Sequence, residues 1–74
     1  MPVLYEKDIP QEMRTTVALL IRQATKSCAL RKTFYAMANS QGMLAAVQWL
    51  ASRPGLTAEQ EQSRMLLQSE LESL

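Results

Sequence analysis

Seventy-four residues fit one small domain, and a chain of this size buries only about 60% of the surface of its unfolded form. The sequence has no histidine and a single cysteine, Cys28, so it excludes an imidazole-bound zinc site and an intrachain disulfide. The net charge of +1 is too small to indicate nucleic-acid binding by itself. No apolar run reaches the roughly 18 residues that a membrane span requires, so no membrane insertion is expected.

Residues 1–8 are predicted to form a short arm. Val3, Leu4 and Tyr5 favour an extended conformation, but no second strand signal follows in the chain. Such an arm is expected either to pack across helices or to pair with another copy of the chain. Helical signals begin at Asp8, an acidic capping residue that is followed by Pro10 in the first turn.

A long amphipathic helix is predicted over residues 10–38. Its apolar residues recur mostly at spacings of three and four, which is the helical period. This first stripe is Met13, Val17, Leu20, Ile21, Ala24 and Cys28, and a second apolar line is Leu19, Leu30, Phe34 and Met37. No glycine or proline interrupts residues 11–41, so we expect one helix with a kink near Ser27. The alternative is two helices that meet at Lys26 and Ser27. On the first stripe, Cys28 is expected to be a small core residue.

Two shorter helices are predicted at 42–52 and 58–73. The turn cluster at 39–42 separates the first of them from the long helix. Pro54 ends it, and Thr57 with Gln60 forms a capping box for the last helix. The sequence therefore predicts an all-α fold, a small bundle of three helices, or four, in which a long N-terminal helix carries a C-terminal helical hairpin.

Charge is distributed unevenly along the chain. Residues 13–58 contain six basic residues and no acid, whereas residues 1–12 carry a net charge of −2 and residues 59–74 one of −3. On a continuous helix four of the basic residues would form a ridge along one side: Arg14, Arg22, Lys26 and Lys32. This ridge is interpreted as a docking face for an acidic partner or a phosphate backbone. The alternative is a solvated face, or one neutralised by the glutamate-rich last helix.

The residues that enzymes use are missing or scattered. Cys28 has no histidine to activate it, and Gly42 and Gly55 are isolated turn residues that build no phosphate loop. The acids lie at the two ends of the chain, so no carboxylate pair is indicated. The sequence predicts no enzyme activity, no cofactor and no metal site.

The segment 50–66 resembles a helix-turn-helix motif. It has a small residue at Ala51, Gly55 four positions later, and then a capped helix. The resemblance implies a DNA-binding transcriptional regulator as an alternative function. Glu61 stands where the motif has an apolar residue, and acids near the start of a reading helix would face phosphates with the wrong sign. Nucleic-acid binding is therefore the less favoured interpretation.

The favoured interpretation is a small non-enzymatic interaction protein of a bacterium or phage. It would act in the cytoplasm by helix docking, as an adapter, inhibitor or chaperone-like regulator, and as a homodimer with an acidic or helical protein partner. A lone thiol, and an acid near the N-terminus where a signal peptide needs lysine or arginine, favour the cytoplasm. Trp49 is either packed inside the bundle or an interface anchor. The predicted partner-binding residues are Leu30, Phe34, Met37 and Trp49, with Arg14, Arg22, Lys26 and Lys32 as a charged rim. A structural subunit of a larger assembly is the third possibility.

Overall fold

Four helices make up most of the computed structural model, which describes residues 3–74. They are α1 (Gln11–Thr25), α2 (Cys28–Gln41), α3 (Met43–Ala51) and α4 (Ala58–Glu72), and a single 3-10 turn, Glu6–Asp8, precedes them. Residues 3–74 contain no strand, so the predicted all-α bundle is confirmed at this level, with four helices packed together.

The prediction of one continuous helix over 10–38 is wrong, and the alternative of two helices that meet at Lys26 and Ser27 is what the structure has. Lys26 adopts the left-handed conformation, with φ of 57°, and so ends α1. Ser27 then begins α2 as its N-cap, since its hydroxyl accepts a hydrogen bond from the Leu30 amide at 3.1 Å.

A residue far away in the sequence stabilises this break. In a continuous helix the carbonyls of Ala24 and Thr25 would accept hydrogen bonds from amides four residues later. Instead, the side-chain amide Nε2 of Gln60 donates to both carbonyls, at 3.1 and 3.3 Å. Gln60 is buried, and its Oε1 accepts a hydrogen bond from the Thr57 amide in the predicted capping box. The carbonyls at the end of α1 thus obtain their hydrogen-bond donor from the start of α4.

The break also changes which residues reach the core. α1 packs most extensively against α4, and α2 packs against α3. The largest fully buried side chains come from all four helices: Ile21, Phe34, Met43, Val47, Leu50 and Leu67, with Thr25 beside them. Cys28 is exposed, which contradicts its predicted place in the core. Because α2 begins anew at Cys28, this residue no longer continues the buried stripe of α1.

The arm packs across the helices, which is one of its two predicted positions; residues 1 and 2 of the predicted 1–8 lie outside the described residues. The Leu4 carbonyl accepts a hydrogen bond from the Met43 amide at 2.7 Å. Gly42, with φ of 104°, joins α2 to α3 directly beneath the arm. A Cβ at Gly42 would collide with the Val3 side chain, so only glycine allows this close approach.

Candidate partner-binding surface

The four apolar residues predicted to bind a partner do not form one exposed patch. Phe34 is completely buried in the chain's own core, so its prediction as a surface residue is wrong. Leu30, Met37 and Trp49 are half-buried and pack against that core. The Arg53 guanidinium also lies over the Trp49 ring, 5.3 Å from its centroid, and covers part of the indole.

The predicted basic ridge is divided by the break between α1 and α2. Lys32 belongs to α2 and no longer continues the line of Arg14 and Arg22 on α1. Lys26 Nζ lies 3.2 Å from a Glu59 carboxylate oxygen, so α4 neutralises this part of the ridge, as the alternative interpretation anticipated. Arg14 Nε donates to the Ile9 carbonyl at 3.3 Å.

A basic groove lies between α1 and α2, with a volume of about 410 Å³. We call it the α1–α2 groove, and its lining residues are Thr15, Ala18, Leu19, Arg22, Arg31 and Tyr35. Leu19 is 52% exposed, and Ala18 beside it is also exposed. Apolar surface and two guanidinium groups therefore meet at one place.

The residues that line the groove carry a net positive charge. No acid is among its lining residues, and within residues 3–74 the Arg22 guanidinium forms no ion pair or hydrogen bond. Arg31 makes one long hydrogen bond, from Nε to the Thr25 hydroxyl at 3.4 Å. Burial raises the pKa of Tyr35 above its ordinary value; the Glu6 carboxylate raises it further, and the Arg31 charge acts in the opposite direction.

The sequence prediction found Arg22 but missed Arg31 as a site residue. On one continuous helix Arg31 would lie outside the basic ridge that contains Arg14 and Arg22, so the prediction leaves it out. The signal that points to it is Ser27, because a capping residue there starts a new helix and turns Arg31 towards α1.

The segment 50–66 has a six-residue connection between α3 and α4, at 52–57. The first turn of α4 carries Glu59 and Glu61, and between them Gln60 is buried against the end of α1. The Arg64 guanidinium bonds Glu61 and lowers the pKa of that carboxyl. The start of this helix is thus acidic and anchored to protein, a poor arrangement for contact with DNA phosphates.

The part of the chain that the structure describes holds no group of three or more cysteine, aspartate or glutamate side chains arranged to bind a metal ion. Each helix in 3–74 is too short or too polar to cross a lipid bilayer. Comparisons with protein-family models, curated proteins and solved structures find no match to this chain.

Proposed function

We propose that this protein is a small non-enzymatic interaction protein that binds an acidic helical segment of a protein partner in the α1–α2 groove. The observation that carries the proposal is that Arg22 of α1 and Arg31 of α2 line one groove together with exposed Leu19, with no acid in the lining. Charges that are not already paired within the chain are available to a partner.

The shape of the groove supports a helical segment as the occupant. Its lining on α1 runs from Thr15 to Arg22, which is about 10 Å at about 1.5 Å per residue. That length accommodates about two turns of a docked amphipathic helix. Apolar residues of such a helix would contact Ala18, Leu19 and Tyr35.

The guanidinium groups support an acidic partner. Arginine presents a planar fork that binds a carboxylate with two parallel hydrogen bonds, and both arginines have most of their donors free within the described chain. Docking of this kind suits an adapter, an inhibitor or a chaperone-like regulator, because each acts by covering a partner's surface. An exposed free thiol at Cys28 suits a reducing cytoplasm.

The proposal is tested by affinity capture from nuclease-treated lysate of the source cells with two matched variants. Arg31→Glu reverses a charge that lines the groove, and Lys32→Glu reverses the adjacent charge, which does not. We expect one acidic protein to be retained by the wild type and by Lys32→Glu, and to lose at least about tenfold in affinity for Arg31→Glu. Circular dichroism verifies that both variants keep their helicity.

Other outcomes identify the alternatives. Equal retention by Arg31→Glu and Lys32→Glu would exclude the groove as the binding site. Binding of a DNA duplex that weakens steeply with salt and is lost in Arg31→Glu would instead support the DNA-binding regulator. A chain that is soluble only when produced together with its partner would support the structural-subunit alternative.

A further inference from the structure

A second face of the bundle, formed by the outward sides of α1 and α4, has a different chemistry from the α1–α2 groove. From this face, which borders the α1–α2 groove at Leu19, we infer that two copies of the chain form a two-fold symmetric dimer, an interaction in addition to the proposed binding of an acidic partner. We call it the α1–α4 face and define it by Leu19, Gln23 and Lys26 on α1 and by Glu59 and Leu66 on α4.

The two helices of this face run side by side in opposite directions. Lys26 near the end of α1 pairs with Glu59 at the start of α4, and one turn further along, the Ser63 hydroxyl donates to Gln23 Oε1 at 3.4 Å. Leu66 lines the same depression as Gln23. Leu19 lies one helical turn before Gln23, at about the level of Leu66.

This antiparallel register puts two exposed leucines at about the same height on the two helices. Leu19 and Leu66 are each 52% exposed, although both belong to helices whose other faces are well buried. Exposed apolar side chains that cluster on one face mark interaction sites more often than scattered ones do. An apolar centre on this face therefore needs an apolar counterpart.

A second copy provides that counterpart because the face is self-complementary. A two-fold axis that runs parallel to the helices, between α1 and α4, places α1 of one copy opposite α4 of the other. Residues at the same height then meet, so Leu19 faces Leu66 of the other copy, and Lys26 faces the other copy's Glu59. Each contact occurs twice, as in every isologous interface.

The charges favour the same pairing. On this face α1 carries the base Lys26 and α4 carries the acid Glu59, and the two are paired within one chain. The two-fold operation brings the two ion pairs together with Lys26 of each copy opposite Glu59 of the other, and it avoids the like-charge contacts that would arise if α1 faced α1 or α4 faced α4.

Sedimentation equilibrium over a wide range of concentration tests the dimer. We expect the wild type to have twice the 8.3 kDa chain mass at high concentration and to dissociate on dilution. Leu66→Glu should raise the dimer dissociation constant at least about 100-fold, because it buries an unpaired carboxylate. Met65→Glu is the matched control: Met65 is adjacent and 58% exposed but does not line the depression beside Gln23, so this variant should remain a dimer.

Disulfide trapping tests the pairing itself in a Cys28→Ser background. Mixing the Leu19→Cys and Leu66→Cys chains under mild oxidation should give predominantly the mixed covalent dimer. Replacing Leu66→Cys by Met65→Cys in the mixture should abolish this preference. Either leucine variant can also be examined alone, so a folding defect in one does not prevent a decision.

Two results would overturn the inference: a monomeric wild type at about millimolar concentration, or equal weakening of the dimer by Leu66→Glu and Met65→Glu. Leu66 and Met65 do not line the α1–α2 groove, so the sedimentation experiment does not depend on the proposed partner binding. If Leu66→Glu is monomeric but still captures the acidic partner, the dimer and the partner-binding function are both supported as separate properties. If the wild type is monomeric and capture still depends on Arg31, only the dimer is rejected.

Discussion

Helix α1 has two junctions, with α4 and with α2, and they use polar side chains in opposite ways. At the α1–α4 junction the side-chain amide of Gln60 donates hydrogen bonds to the carbonyls at the end of α1, and Lys26 forms an ion pair with Glu59. At the α1–α2 junction Arg22 makes no hydrogen bond within residues 3–74 and Arg31 makes one long one. Polar groups that are already bonded stabilise the fold, whereas unbonded groups beside apolar surface are available for binding.

The largest expected effect concerns the core residue Phe34 of α2. Phe34→Ala removes a fully buried ring and should cost about 3–5 kcal/mol, as large as the stability that a core of this size supplies. We expect urea denaturation followed by circular dichroism to show a largely unfolded chain. A folded Phe34→Ala protein that has lost only partner binding would return Phe34 to the binding surface and contradict this account.

The α1–α4 junction is tested by Gln60→Glu, which keeps the shape of the side chain but removes its donors. At neutral pH the new carboxylate faces two carbonyl oxygens, so the variant should be destabilised by about 1–3 kcal/mol relative to the wild type. Its folded-state pKa should be raised, because the charged form is disfavoured there. The stability difference should therefore narrow as pH falls through that pKa.

Gln62→Glu is the control for this prediction. It makes the same chemical change at an exposed position of the same helix, so its stability should stay close to that of the wild type at every pH. Equal effects of the two variants in urea titrations would show that the Gln60 hydrogen bonds do not stabilise the end of α1.

The helix break between the two junctions is tested by comparing Lys26→Gly with Lys26→Ala. Both variants lose the ion pair to Glu59, but glycine adopts the left-handed conformation without the steric cost of a Cβ. The glycine variant should be the more stable by roughly 1 kcal/mol. In a single continuous helix the order would be the reverse, because alanine is favoured over glycine inside a helix by a similar amount. Thermal or urea unfolding of the pair decides between the two folds.

Local sequence predicted much of this fold and little of the site. Capping residues such as Thr57 and the apolar period predicted helices, and the structure has them near the predicted positions. The break at Lys26 carries no glycine or proline, and it depends on Gln60, 36 residues from Ala24. A contact between residues so far apart in the sequence cannot be predicted from local sequence patterns. Two helices that meet at Lys26 and Ser27 are only the alternative prediction, and the favoured continuous helix assigns Phe34 to the surface, Cys28 to the core and Arg31 to no site.

The smallest expected effect reports on the electrostatics of the groove. In a Tyr5→Phe background, an ultraviolet absorption titration follows Tyr35 alone, and its pKa should lie above the ordinary value. Arg31→Gln should raise it further and Glu6→Gln should lower it, because a nearby positive charge favours the phenolate and a negative charge disfavours it. A raised folded-state pKa means that this stability contribution is present below the ordinary tyrosine pKa and is lost as pH rises through the folded value. If Arg31→Gln leaves the pKa of Tyr35 unchanged, Arg31 does not lie near Tyr35, and the two residues do not line one groove.

Site-specific photocrosslinking tests partner binding in the α1–α2 groove most directly. A photoreactive amino acid is placed at Thr15, an exposed residue that lines the groove, or at Gln48, an exposed residue on α3 that does not. The account predicts that illumination in lysate of the source cells links an acidic protein to the Thr15 position, and that Arg31→Glu abolishes this product. Crosslinking to the same protein from Gln48 alone, or from both positions with equal efficiency, would contradict it.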